Sequence, residues 1–469
     1  MQALALCLLL VGQQAPKEPP ADDDATRREL NDLRIRQSGL ELRLNAAELR
    51  LLQLRRPDVP QTTTVVAPAP APEPVGPRFR FGRGSGFAIS TADGQSEVRL
   101  RLVLHFDGRS YLGDAPPSSD TFVMRRVRPF IEGTLWDVVS FRLMPDFPQG
   151  QAVLQDAYIE MHPWRWLRVR GGRFMVPIGL EWLQSDSTIL LVERSLATDL
   201  VPFRDLGVMV SGDLGNGFFS YQFALLNGSP DSGNGPDMSL QSDKDYVGRL
   251  FVRPFRATKI DISNLGFGVA GSYCDVHGTT AAPGLPGYRS TGQEPIFTYL
   301  NDPMSPEGVV VAQGAHWRVA PQLYWYIGPF GMIAEYVRSL QSVQRMAAAA
   351  ELDHEAWNVE ASFVLTLERA AYEGVVPLHP IDFRRKNFGA FEIAGRYSEL
   401  HLDPGTFPVF AATAVSVQSA RELAGGLNWY LTDFVRIMLS FEHTEFIGGA
   451  PVGNRPPENG LLGRFQIAL

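Results

Sequence analysis

Alternation of apolar and polar residues organises most of this chain. It is plainest over residues 98–106, where Val98, Leu100, Leu102, Leu104 and Phe106 alternate with Arg99, Arg101, Val103 and His105. Successive side chains of a strand point to opposite faces, so this segment has one apolar face and one basic face. The same period returns in AYIEMHP, LRVRGG, FFSYQFALL, LGFGVAGSY, HWRVAPQLYWY, WNVEASFVL, GAFEIAGRYS, LAGGLNWYL and VRIMLSFEH. About sixteen such segments occur. They start near Val98, Thr121, Val138, Val153, Trp166, Asp205, Gly217, Lys244, Ser263, Val311, Pro329, Glu355, Lys386, Ala420, Asp433 and Asn459. An even number returns the end of the domain to the side on which it began.

The connectors alternate between short and long. LWDVV, HPWRW, DLGNG, YIGPF and YLTDF are short, whereas residues 175–204, 227–243, 275–310, 340–354 and 401–419 are long. Transmembrane barrels have brief turns on one side and longer loops on the other, a rule no soluble sandwich follows. Residues 369–385 break the rule, being long where a short turn is due. The polar face carries Arg, Glu, Asp and Asn too often for a dry core, so the expected interior is filled with water and the apolar face meets lipid. Trp136, Trp164, Trp166, Trp325, Tyr326, Trp429 and Tyr430 lie beside the short turns, as an interfacial girdle would. Aromatics plugging small cores at the turns are the alternative. The final strand alternates Leu461, Gly463, Phe465, Ile467 and Leu469 with Leu462, Arg464, Gln466 and Ala468. The expected fold is therefore all-β, a sixteen-stranded antiparallel transmembrane β-barrel over residues 86–469.

Ahead of the barrel the pattern differs. Residues 3–12 form an apolar run followed by polar, Pro-rich chain, so residues 1–20 read as a signal peptide and predict export. From residue 21 to 56, Leu30, Leu33, Gln37, Leu40, Leu44, Ala47, Leu51 and Leu54 fall at alternating a and d positions of about four heptads. This predicts a short α-helical coiled coil in the periplasm that self-associates; a single amphipathic helix is the alternative. Residues 57–85 read as a Pro/Ala-rich linker tending to extended polyproline geometry.

Composition narrows the function. The chain has 469 residues, 45% of them apolar, and beyond the leader no run reaches the ~18 apolar residues that a spanning helix needs. A net charge of −8 argues against nucleic-acid binding. The two cysteines, Cys7 in the leader and Cys274, leave no internal disulfide in an exported chain and no Cys-based metal site. The histidines are scattered and GxSxG is absent, so neither enzymatic activity nor a cofactor is expected.

In LQDAYIEMHPWRWLRVRGGRFMVPIGLEWLQSDSTILLVERS, VPFRDLGVMVSGDLGNGFFSYQFALLNG, GAFEIAGRYSEL, LAGGLNWYLTDFVRIMLSFEHTEF and LLGRFQIAL, the chain resembles the phosphate-selective porin O and P family. The most specific element is GxFxxPxGLE, from Gly172 through Phe174, Pro177 and Gly179 to Glu181, with Glu193–Ser195 as ERS. The resemblance implies a trimeric outer-membrane barrel whose third long loop, here residues 175–204, folds inward. It also implies selection of phosphate by basic residues, because guanidinium groups offer paired donors to an oxyanion. The alternation puts Arg99, Arg101, Arg126, Arg128, Arg142, Arg168, Arg170, Arg249, Arg253 and Arg318 on inward faces, and Arg173, Arg194 and Arg204 belong to the loop. These are the candidate pore-lining and anion-binding residues. Against them, inward Glu132, Asp146, Asp156, Glu160, Glu335, Glu360, Glu392 and Glu442 could pair with arginines and mute the field. Lysine in the barrel is confined to Lys244, Lys259 and Lys386, so a lysine-lined exit, which the family implies, is not evident.

The expected function is an outer-membrane porin for small anions such as phosphate or polyphosphate, with a homotrimer and membrane lipid as partners. A general diffusion porin, or a barrel that chiefly anchors an envelope tether, are the alternatives.

Overall fold

Strand pairing closes on itself in the computed structural model, which describes residues 76–82, 86–113, 119–237, 243–256, 258, 264–302, 304 and 308–469. The first strands are β1 (Arg78–Gly82), β2 (Gly86–Ser90), β3 (Glu97–Leu112), β4 (Thr121–Leu135), β5 (Val139–Asp146), β6 (Val153–Trp164) and β7 (Leu167–Met175). Next come β8 (Arg204–Leu214), β9 (Phe219–Leu226), β10 (Asp245–Val252), β11 (Leu265–His277), β12 (Gly287–Arg289) and β13 (Pro295–Thr298). The last are β14 (Val311–Ile327), β15 (Phe330–Arg345), β16 (Ala348–Val364), β17 (Ala390–His401), β18 (Val417–Tyr430), β19 (Val435–Gly448) and β20 (Glu458–Ala468). The main sheet has eighteen strands, of which sixteen, β3–β11 and β14–β20, form an antiparallel ring shut by β20 pairing with β3. Closure leaves no unpaired edge, which a strand needs when its surroundings offer no hydrogen bonds.

The amphipathicity is inverted relative to a soluble barrel. Phe106 is 44% exposed on the outside, whereas its neighbour His105 is fully buried on the inside. Outward Val98, Leu100, Phe122, Ile159, Val208, Phe223, Phe267, Leu423 and Phe441 continue the apolar surface. At the short-turn rim Trp136, Trp164 and Trp166 are exposed, as a girdle requires. Tyr326 and Tyr430 differ: both are buried and pack with the connector 365–389.

The strand starts follow the alternation closely, with three differences. Residues 340–354 are not a long loop, because β15 and β16 pair through Arg345↔Ala348 and leave only two residues between them. The hairpin β12–β13 lies inside the long connector after β11. The third difference concerns residues 57–85, expected to be linker, whose end forms β1. β2 pairs with residues 97–100 of β3, along the same edge that β20 occupies from residue 103 onward. β3 is longer than its partner at that end, and β2 covers the edge that would otherwise be bare. The expected signal peptide (1–20), coiled coil (21–56) and the remainder of the linker through residue 75 lie outside the described residues.

Candidate functional site

The third long loop, residues 176–203, is buried inside the barrel. Val176, Ile178, Leu180, Ile189, Leu191, Val192, Leu196, Ala197, Leu200 and Val201 are at most 1% exposed. Gly179 starts the inward turn at φ 82°, a conformation that disfavours a side chain, and leads into the short helix α1 (Leu180–Leu183). Gly172, at φ 131°, is needed for space as well, since a Cβ there would lie 2.2 Å from the Ala157 carbonyl oxygen. The glycines of GxFxxPxGLE thus set the close β6–β7 approach and the entry of the loop.

Polar contacts clasp the loop to one wall. The backbone N–H groups of Leu180 and Glu181 donate to the Glu335 carboxylate at 2.6 and 3.3 Å. The Glu181 carboxylate accepts from Ser195 N at 3.1 Å and meets Arg396 Nη1 at 3.5 Å. Arg396 also donates to the Glu193 carbonyl at 2.8 Å and pairs with Glu422 at 2.7 Å. Asn428 Nδ2 donates to the Leu190 carbonyl at 2.9 Å. The motif residues Glu181 and Ser195 are therefore the loop's own clasp, held against β15–β18.

Across the interior the loop meets arginines of β4. Arg125 pairs with Glu193 at 2.7 Å, and Asp186 is shared by Arg126, Arg128 and Arg194. Burial raises the Asp186 carboxyl, but Arg126, Arg194 and Arg128 outweigh it and hold it well below the usual range. Glu193 is likewise lowered, its burial overcome chiefly by Arg125. Asp199 is the opposite case: burial pushes it up to about 8, against hydrogen bonds from the Arg289 N–H and Ser232.

Two cavities flank the loop. The one toward the long loops is about 320 Å³ and is lined by Arg125, Arg126, Arg128, Arg194, Arg204 and Arg289, against the carboxylates Glu193 and Asp199. The one toward the short turns is about 520 Å³, with Arg101, Arg128, Arg142, Arg204 and Arg436 against Asp156, Asp186, Glu373 and Asp433. Arg128 and Arg204 line both, so the cavities abut at these two guanidinium groups. Each is oriented by a carboxylate, Asp146 at 2.5 Å for Arg128 and Asp156 at 2.8 Å for Arg204.

Six of the thirteen arginines singled out from the sequence come together here: Arg101, Arg126, Arg128, Arg142, Arg194 and Arg204. The other seven lie outside both cavities. Arg99 pairs with Glu97, Arg168 with Asp213, Arg170 with Glu160 and Arg173 with Asp237. Arg318 is sealed between Asp231 and Asp245, Arg249 bonds Gln222 and Gln322, and Arg253 abuts Gly217. Pairing across strands is thus as extensive as the charge alternation allowed.

Three lining arginines escaped the sequence reading. Arg125 sits where the β3–β4 register shifts beside His105 and Phe106, so simple alternation turns it outward. Arg289 belongs to the hairpin β12–β13, where no alternation guides its placement. Arg436 did carry a signal, since the alternation of β19 puts it on the same face as Glu442.

Comparison with known proteins finds the family Phosphate-selective porin O and P over residues 98–445. Among solved structures the chain is similar to the outer membrane channel DcaP of Acinetobacter baumannii, at 10% identity, covering 79% of this chain and 97% of that one, with TM-score 0.49. It is also similar to the anion-selective porin from Comamonas acidovorans, at 10% identity over 80% of this chain and 100% of that one, TM-score 0.48. OmpT of Vibrio cholerae in its trimer form matches at 9% identity over 80% and 99%, TM-score 0.48. None of the curated proteins matches the sequence.

Proposed function

Because the chain belongs to the phosphate-selective porin O and P family, and is accordingly an outer-membrane porin, we propose that its channel passes small anions, with phosphate and polyphosphate as candidate solutes. One observation carries this reading: six arginines line the cavity toward the long loops against only Glu193 and Asp199. Asp199, pushed up to about 8, keeps its proton near neutral pH, so Glu193 is the one charged carboxylate in the lining itself. Asp186, Asp146 and Asp156 pair with Arg126, Arg128, Arg194 and Arg204 from outside it and still leave the arginines in excess. A cavity of that sign draws anions and repels cations. Guanidinium groups add directional donors suited to an oxyanion.

Arg128 and Arg204 are the residues on which selectivity turns in this proposal, as a solute leaving one cavity for the other passes both. Asp146 and Asp186 hold Arg128 in position, and Asp156 holds Arg204. A second reading, general diffusion without phosphate preference, is favoured by the extent of arginine–carboxylate pairing in the wall. We further propose that the porin is a homotrimer and that residues 21–56 form a periplasmic coiled coil, both separate from the question of the solute. An envelope-tethering role for that segment predicts an envelope phenotype, with conductance intact, when residues 21–77 are deleted.

The reversal potential of the purified protein in a planar bilayer under a KCl gradient tests the proposal. An anion-side potential, with chloride current reduced by millimolar phosphate, supports it. Cation selectivity or indifference to phosphate rejects it and leaves general diffusion, with the arginines neutralised by their carboxylates.

A further inference from the structure

The connector 365–389 is long and lies on the side of the short, periplasmic turns. Its first half enters the barrel. Ala370 and Val375 are buried with Leu180, Tyr326 and Tyr430, and Tyr372 Oη donates to the Leu180 carbonyl at 2.6 Å. Its second half returns to the rim, where Ile381 N donates to the Leu431 carbonyl at 2.7 Å. There a bridge between Asp382 and Asn387 closes a turn over residues 383–386. Asp382 Oδ1 accepts from Arg384 N and Arg385 N at 2.9 and 3.3 Å, which fixes the turn.

Two kinds of exposed side chain meet at this turn. Arg384, Arg385 and Lys386 all face solvent; Arg385 pairs with Asp382 at 3.5 Å, while Arg384 and Lys386 have no ion pair among the described residues. Beside them, Leu378, Phe383 and Phe388 are 72%, 74% and 53% exposed. The girdle is adjacent, because Trp429 Nε1 donates to the Phe388 carbonyl at 2.6 Å and the Trp429 ring stacks on Phe391. Neither feature alone says what covers the turn. Together they match the boundary of a bilayer leaflet, with apolar side chains at the acyl level and cations at the headgroup phosphates.

We propose that residues 378–388 form a binding site for an anionic phospholipid of the periplasmic leaflet, its headgroup held by Arg384, Arg385 and Lys386 and its glycerol and acyl region by Leu378, Phe383 and Phe388. The site is separate from the conducting path and holds whether or not the channel prefers anions. It places a lipid on the outer half of a connector whose inner half touches the third loop.

Trp429 is the natural reporter. The full-length protein is reconstituted with dibrominated phosphatidylglycerol or dibrominated phosphatidylethanolamine at equal mole fraction, and the Trp429 signal is taken as the difference from Trp429→Phe. The expected result is a phosphatidylglycerol preference of about fivefold or more, the factor contributed by one cation near the surface. A variant combining Arg384→Gln, Arg385→Gln and Lys386→Gln should lose that preference yet keep the phosphatidylethanolamine quenching. Equal quenching by the two lipids overturns the proposal, as does a preference that survives in the triple variant. Shielding of Trp429 from both lipids would mean that a second copy or another protein covers the turn, and overturns it too.

Discussion

The two halves of the barrel wall lean to opposite charge, although each carries some of the other sign, Asp146 and Asp156 on one side and Arg396 and Arg436 on the other. Strands β3–β8 turn Arg101, Arg126, Arg128, Arg142 and Arg204 toward open cavities. Strands β15–β20 carry Glu335, Glu360, Glu392, Glu422, Glu442 and Glu458, which are buried to much the same degree as Arg126, Arg128 and Arg204. None of these six lines either cavity. The third loop makes much of the difference, since its clasp of Glu181, Ser195 and Arg396 presses it onto β15–β18. The turn of the β12–β13 hairpin also engages Glu458 through Ser290 and Glu442 through Thr291. A chain with more acidic than basic residues, 51 against 43, can therefore offer a basic path. Net charge describes the molecule, whereas the loop decides which charges a solute meets.

Reversing the basic half gives the largest expected effect. Arg128→Glu with Arg204→Glu should change the chloride-to-potassium permeability ratio by about tenfold or more, given ~1.7 kcal/mol for a unit charge about 10 Å away at an effective dielectric near 20. Reversal potentials read this directly, and an unchanged ratio would show that solutes pass elsewhere.

Undoing the clasp comes next. Glu181→Ala leaves Arg396 and the Ser195 N–H short of a partner in a buried site, at a cost of about 3 kcal/mol. A lower unfolding temperature should accompany noisier current and weaker anion preference, as the loop leaves the acidic wall. Stability lost without any change in current would separate the clasp from selectivity.

A smaller effect concerns pH. The folded Asp199 keeps its proton up to about 8 whereas the ordinary value of an aspartate is 3.8, so between these values the unfolded chain binds fewer protons. Its contribution to stability therefore falls as pH rises through that window. Thermal unfolding of Asp199→Asn should show a flatter pH dependence than wild type between these limits, and identical slopes would contradict the assigned burial.

The smallest effect belongs to the hidden half. Both carboxylate oxygens of Glu360 lack a hydrogen-bond partner among the described residues. Glu360→Gln should leave the reversal potential unchanged and stability equal or higher, by about 1 kcal/mol. A shift of the potential would mean that the acidic wall is felt in the pore.

Strand count and the inward and outward faces were legible because alternation and loop length are local properties, whereas the inward course of residues 175–204 came only from the family resemblance of GxFxxPxGLE and ERS. The starts of β4, β6 and β14 coincide with those read from the pattern. Arg125 was not legible, since a register shift depends on how two strands meet rather than on either one. Nor was the sorting of arginines into six that line the two cavities beside the third loop and seven that do not, because side-chain alternation is blind to where a loop lies. The long connector 365–389 was visible as an exception, but its packing beneath Leu180 could not be read from length alone.

Accessibility tests the central claim most directly. In a background lacking Cys7 and Cys274, single cysteines are placed at Arg128, Arg204, Glu335 and Glu360, and each open channel is exposed to a sulfonate-bearing methanethiosulfonate. Rapid loss of current at positions 128 and 204, with none at 335 and 360, is the predicted result. Modification at 335 or 360 as fast as at 128 would contradict it, showing that the third loop does not cover the acidic wall.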